Sequence, residues 1–160
     1  MRRRQYPRAF SLIELVIVII VVISAIAIPR LTQGAQNAGA VALKGDLAVL
    51  RNAIELYRAE HAGQFPDDAT TLTNQLTMYT KIGGTDPNPS PDVASRRVCG
   101  PYIRAMPALP VGLKAGATGI QAATPAGPNI GWIYDGYVGT IRAATKSTLW
   151  DKDGVPYRDY

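Results

Sequence analysis

The chain has little of what most active sites are built from. Its 160 residues include one cysteine, Cys99, and one histidine, His61. A lone cysteine closes no intrachain disulfide. No histidine or helix start stands near Cys99 to make a reactive thiolate, so it reads as a small, partly buried apolar residue. A lone histidine leaves any metal site without a second imidazole. His61 lies one turn beyond Tyr57 near a helix end, and it reads as a packing residue or a cation at that end. No HExxH or GxSxG run occurs, and no Gly-rich loop joins a strand to a helix as a phosphate cradle. Serines without a spare histidine make no triad. These absences argue against an enzyme.

Charge is also scarce, and unevenly placed. The formal net charge is +5, but Arg2, Arg3, Arg4 and Arg8 supply most of it. Without the first nine residues, Lys+Arg falls from 17 to 13 against 12 Asp+Glu, a formal +1. The body therefore has no basic face of the kind that holds nucleic acid. The length allows one modest domain, or a helix plus a small domain.

What is present is a long apolar run, residues 10–28, broken only by Ser11, Glu14 and Ser24. As a helix it would rise ~28 Å at about 1.5 Å per residue, close to the ~30 Å hydrocarbon core of a bilayer. So many Val and Ile residues leave no polar face for a soluble core helix. The preceding arginines predict a cytoplasmic N-terminus. A secretory signal peptide is the rival reading, with Ala25-Ile26-Ala27 as a small-x-small cleavage site. Against it, the run is longer than the usual signal core. Glu14 would also cost up to ~3 kcal/mol at mid-membrane, with no purpose in a disposable segment.

Beyond Pro29, which predicts a kink, residues 30–62 carry helical periodicity. Leu43, Leu47, Leu50, Ile54 and Tyr57 form one apolar stripe, a candidate core face. Arg51 and Glu55 are one turn apart and predict a weak pair. Gly34, Gly39 and Gly45 either permit close packing or make a segment that can stretch. Gly63 predicts the helix end as its C′ residue, with Pro66 preventing resumption.

The remainder, 63–160, reads as a small α+β body. Residues 68–79 predict a short helix, 83–92 a loop, and 99–112 an extended packed loop interrupted by prolines. "GWIYDGYVGTIRAA" (131–144) predicts a hairpin turning at Asp135-Gly136. A third strand is expected within 118–124. The apolar face of this small antiparallel sheet is expected to cover the helix stripe.

The opening segment resembles a known signal. An Arg-rich leader, a small residue, Phe10-Ser11-Leu12-Ile13-Glu14 and a long apolar helix are similar to the class III signal of type IV pilins and of type II secretion pseudopilins. "IELYRAEHAGQFPDD" and Gly100-Pro101-Tyr102 also resemble pseudopilin segments. The resemblance implies cleavage between Ala9 and Phe10 by a prepilin peptidase and methylation of the new amine. Ala9 stands where the family usually has glycine. It further implies that Glu14 meets the new amine of a neighbouring subunit during assembly. Major pseudopilins carry a calcium in their C-terminal loops, which would fall near Asp151 and Asp153. Read on its own, "DKDG" lacks the remaining ligands of an EF-hand.

These readings converge on a pilin-like α+β fold. They give a basic leader (1–9), a transmembrane helix (10–29), an amphipathic spine helix (30–62) and a small globular domain (63–160). By resemblance the chain is a filament subunit, closest to type II secretion major pseudopilins. It would sit in the bacterial inner membrane with its body in the periplasm. It would polymerise through its N-terminal helices and meet a prepilin peptidase and an inner-membrane assembly machinery, with no nucleic-acid partner. A type IV pilus pilin, major or minor, and a soluble domain secreted after cleavage at Ala27 are the alternatives.

Overall fold

The computed structural model describes residues 11–123, 126–146, 148–151 and 153–160, with the side chains of 26–33 outside the description. The leader (1–9), Ala9 and Phe10 lie outside the described residues. The chain divides into two compact units, Met1–Ala35 and Gln36–Tyr160, and the division falls inside the first helix.

That helix, α1, runs Leu12–Glu60 and passes through Pro29. In the first unit its described side chains, from Leu12 to Ile23, are exposed. Among the described residues, no helix is long and apolar enough to cross a membrane. The part of the apolar run whose side chains are described, 12–25, rises only ~21 Å at about 1.5 Å per residue.

In the second unit α1 is one-sided. Leu43, Leu47, Leu50, Ile54 and Tyr57 are all buried, as are Ala40 one turn before them and Ala53 among them. Spacings of three and four put these residues on one face. Each fully buried Leu or Ile is worth about 2 kcal/mol of transfer free energy. Lys44, Arg51, Glu55 and Arg58 fall off this face and are exposed.

α1 ends one residue earlier than the glycine position suggests. The Gly63 amide donates to the Arg58 carbonyl at 2.9 Å, the longer bond of a Schellman cap. The left-handed C′ residue is therefore Ala62 (φ 55°), and Gly63 (φ 84°) follows it as C″. The expected Arg51–Glu55 pair is not formed. Glu55 meets Arg58 at 3.4 Å, while Arg51 donates to the carbonyls of Ile141 (3.4 Å) and Tyr160. Two backbone acceptors on one guanidinium outweigh a solvent-exposed ion pair.

After α1, the short helix α2 (Leu72–Thr77) buries Leu72, Gln75 and Leu76. It is shorter than the 68–79 expected because Asp68 organises a turn ahead of it. The Asp68 carboxylate accepts the amides of Thr70 (2.8 Å) and Thr71 (2.9 Å). Strands β1 (Thr80–Lys81) and β2 (Arg97–Cys99) pair antiparallel and bracket the 83–92 loop. Asp86 ties that loop to Lys81 (3.2 Å) and Arg97 (2.8 Å).

The second sheet has β3 (Gly119–Gln121), β4 (Ile130–Asp135) and β5 (Thr140–Ala143), in the order β3-β4-β5. β4 and β5 are antiparallel, with Trp132 opposite Ala143 and Tyr134 opposite Ile141. These four residues are buried with the α1 stripe in one core. β3 pairs with β4 in parallel, so the sheet is mixed rather than wholly antiparallel.

The hairpin turn also differs from expectation. Asp135 pairs with Thr140, so 136–139 form the loop in place of a two-residue Asp-Gly turn. Gly136 and Gly139 are fixed by what lies under the loop. A Cβ on Gly136 would stand 2.2 Å from the Asp67 carbonyl oxygen, and one on Gly139 (φ +71°) would stand 2.3 Å from the Phe65 ring. A last 3₁₀ turn, Tyr157–Asp159, buries Tyr157 beside the sheet.

Candidate functional site

Two places carry the residues that the sequence singles out. The first is the start of α1. Ser11 precedes the helix, and its carbonyl accepts the amides of Glu14 (3.0 Å) and Leu15 (3.2 Å). Glu14 lies in the first turn. A carboxylate there faces the positive end of the helix dipole. The spacing Ser11-x-x-Glu14 is also the capping-box pattern, a signal that the hydropathy reading overlooks. Among the described residues the Glu14 carboxylate has no hydrogen bond or ion pair. Around it, Leu12, Ile13 and the aliphatic side chains through Ile23 are 40–80% exposed. Monomeric soluble proteins rarely leave an apolar patch above a few hundred Å² uncovered. Ser24, the polar interruption, donates its hydroxyl to the Ile20 carbonyl at 2.7 Å. It therefore presents no unmet donor to an apolar surrounding.

The second place is the C-terminal end of α1. His61 is 1% exposed and stacks on Tyr57, with ring centroids 3.6 Å apart and planes within 4°. Its Nδ1 is 2.7 Å from the Tyr57 carbonyl oxygen, which can only accept, so Nδ1 carries the proton. In the neutral ring Nε2 then accepts from the Thr80 hydroxyl at 2.9 Å. The Tyr102 hydroxyl donates to Glu60 Oε2 at 2.6 Å, and the Gly100 amide donates to the same oxygen at 3.2 Å. Burial first, then the Glu60 carboxylate, push the Tyr102 hydroxyl well above the ordinary tyrosine range. Tyr57 is pushed up to about 12, by burial first and then by Asp67.

His61 is thus a packing residue with both nitrogens engaged. The cluster pins the segment around Gly100 to the helix end, and both nitrogens of His61 are spoken for. Thr80, Glu60 and Tyr102 are the partners that the sequence reading missed. Glu60 next to His61 was the only local hint, since Thr80 arrives on β1 and Tyr102 on the segment after β2. Cys99 is half-buried and unpaired, its thiol 4.0 Å from the Glu60 carbonyl oxygen. Burial and then Glu60 raise its pKa, which moves it away from thiolate chemistry.

The Asp151 carboxylate is engaged within its own turn. One carboxylate oxygen of Asp151 accepts the amides of Asp153 and Val155 at 2.8 Å each, and the other accepts the Tyr160 hydroxyl. Among the described residues no three His, Cys, Asp or Glu side chains converge as a metal site. The Asp-Gly segment is a turn that holds Tyr160 in place. Lys44 of α1 lies over that ring at 4.4 Å.

No protein-family model matches the chain, and no curated protein or solved structure matches it.

Proposed function

We propose that this chain is a structural subunit of a type IV pilin-like filament, of the type II secretion pseudopilin kind. The observation that carries the reading is α1 itself. One helix, Leu12–Glu60, is apolar and exposed at its start and buries a single stripe near its end. An aliphatic surface of that extent needs a cover, and the lipid bilayer and the same helix of neighbouring subunits are the covers a filament subunit meets in turn. The second unit would be the globular body, in the periplasm. On this reading the chain is a substrate of a processing peptidase rather than an enzyme.

Glu14 acquires a role in this scheme. Cleavage between Ala9 and Phe10 would create an amine one turn away in sequence, and Glu14 of one subunit would pair with that amine on another. The pair would exist only in the assembled state.

Mass spectrometry of the mature N-terminus tests the reading. The expected product begins at a methylated Phe10, whereas a product beginning at Ile28 would overturn it in favour of secretion. Glu14→Leu is expected to insert and be cleaved normally while losing at least about tenfold in filament yield, since one charge pair of ~1.4 kcal/mol is worth that factor. Normal yield would remove Glu14 from the scheme.

A further inference from the structure

The second unit contains a cavity of about 360 Å³ that none of the foregoing uses. Its floor is apolar, made by Val111, Ala144 and Leu149. Lys114, Lys146 and Arg158 stand around it, with no carboxylate among its lining residues. Lys114 spends one N–H on the Ala126 carbonyl at 2.8 Å and has two left. Arg158 gives its Nε to Asp159 at 3.2 Å, which leaves its terminal N–H groups. Lys146 has no side-chain partner among the described residues.

A separate observation points the same way. Thr145 also lines the cavity, and its hydroxyl is buried with no hydrogen-bond partner among the described residues. Buried hydroxyls are normally satisfied, so this one has a donor to give. The wall beside it is built closely. A Cβ on Gly112 (φ +78°) would stand 2.9 Å from Leu149 Cδ1 and 3.8 Å from Thr145 Cγ2. At Gly112 there is thus no room for a side chain beside Leu149.

We infer that this cavity binds a small amphiphilic anion, a free carboxylate on a short apolar tail. The tail lies on Val111, Ala144 and Leu149, and the carboxylate accepts from Thr145 and the two lysines. The volume is at the lower end for small-ligand sites, which excludes a two-tailed phospholipid as occupant. Charge complementarity selects an anion over a neutral or cationic amphiphile, and the apolar floor selects it over a bare inorganic ion.

The test uses the full chain in nanodiscs of zwitterionic lipid, with Leu and Val methyls labelled for NMR. Hexanoate is the probe, with hexan-1-ol and inorganic phosphate as controls. Hexanoate is expected to shift the Val111 and Leu149 methyls saturably while Leu43 and Leu47 stay still. Hexanol is expected to bind at least about tenfold more weakly, and phosphate not to displace hexanoate. Lys114→Gln with Lys146→Gln should weaken hexanoate about tenfold with the methyl spectrum otherwise unchanged, and Thr145→Val should weaken it about threefold. Should either variant misfold, Leu149→Phe, which fills the cavity, must abolish the shifts. The inference is overturned by no saturation up to about 20 mM hexanoate, far above the range of a useful site. Equal binding of hexanol, displacement by phosphate at equal affinity, or the same methyl shifts produced by anionic lipid alone would overturn it as well.

Discussion

His61 and Thr80 make a closed pair whose energy can be measured directly. The imidazole Nε2 is the partner of the Thr80 hydroxyl at 2.9 Å, and both residues are buried, with Thr80 at 0% exposure. His61→Phe keeps a ring stacked on Tyr57 but leaves that hydroxyl without its acceptor. A buried polar group stranded in this way costs about 1–3 kcal/mol. The Tyr57 carbonyl keeps its bond from the backbone amide of residue 61, at 3.0 Å, whatever the side chain. The loss is therefore concentrated on Thr80. Thr80→Val alone strands Nε2 and should cost about 1–2 kcal/mol by the same reasoning. The double variant replaces both partners with apolar groups of similar shape, so it should be no less stable than the worse single variant. That implies a coupling of about 1–2 kcal/mol. Urea unfolding followed by the fluorescence of buried Trp132 gives the values. Additivity of the two single costs within about 0.3 kcal/mol would refute the pair.

Two further outcomes follow from local geometry. Ala62→Gly should stabilise the second unit by about 0.5–1 kcal/mol, because the exposed C′ residue is already left-handed and glycine removes the Cβ penalty there; a lower urea midpoint would contradict the cap assignment. The Asp68 carboxylate is held down at about 2, chiefly by the Thr70 hydroxyl and then by the Thr71 and Thr70 amides. A depressed acid contributes stability above its unfolded value, near 3.8, and loses it as pH falls towards 2. Asp68→Asn should therefore lower stability most at neutral pH and converge with the parent chain as pH falls towards 2, which flattens the acid limb between those values; an unchanged acid limb would count against the turn.

The readable parts of the fold were those written in a local period. Leu43, Leu47, Leu50, Ile54 and Tyr57 announced their face because a helix repeats every 3.6 residues. The hairpin was readable from its flanking aromatic and β-branched residues, but its loop was not. Gly136 and Gly139 are glycines because Phe65 and Asp67 pass beneath them, a contact no local window contains. Arg51 turned away from Glu55 for the same reason, since its acceptors Ile141 and Tyr160 are remote in sequence. The parallel pairing of β3 was hidden because a three-residue strand carries too little alternation to show a direction. The cavity was invisible for a further reason. Its three cations come from separate stretches, each of which reads alone as an ordinary solvated charge.

The chain leaving α1 is gripped from several sides. The Tyr134 hydroxyl donates to the Pro66 carbonyl at 2.9 Å, and Gln75 takes the Asp67 amide (3.1 Å) while giving its own N–H to the Asp67 carboxylate (2.8 Å). The Gly136 and Gly139 backbone lies against Phe65, Pro66 and Asp67. Within the second unit this grip and the stripe of core side chains both tie the end of α1 to the sheet. The stretch from Phe65 to Asp67 is therefore a fixed strap within the second unit rather than a free connection.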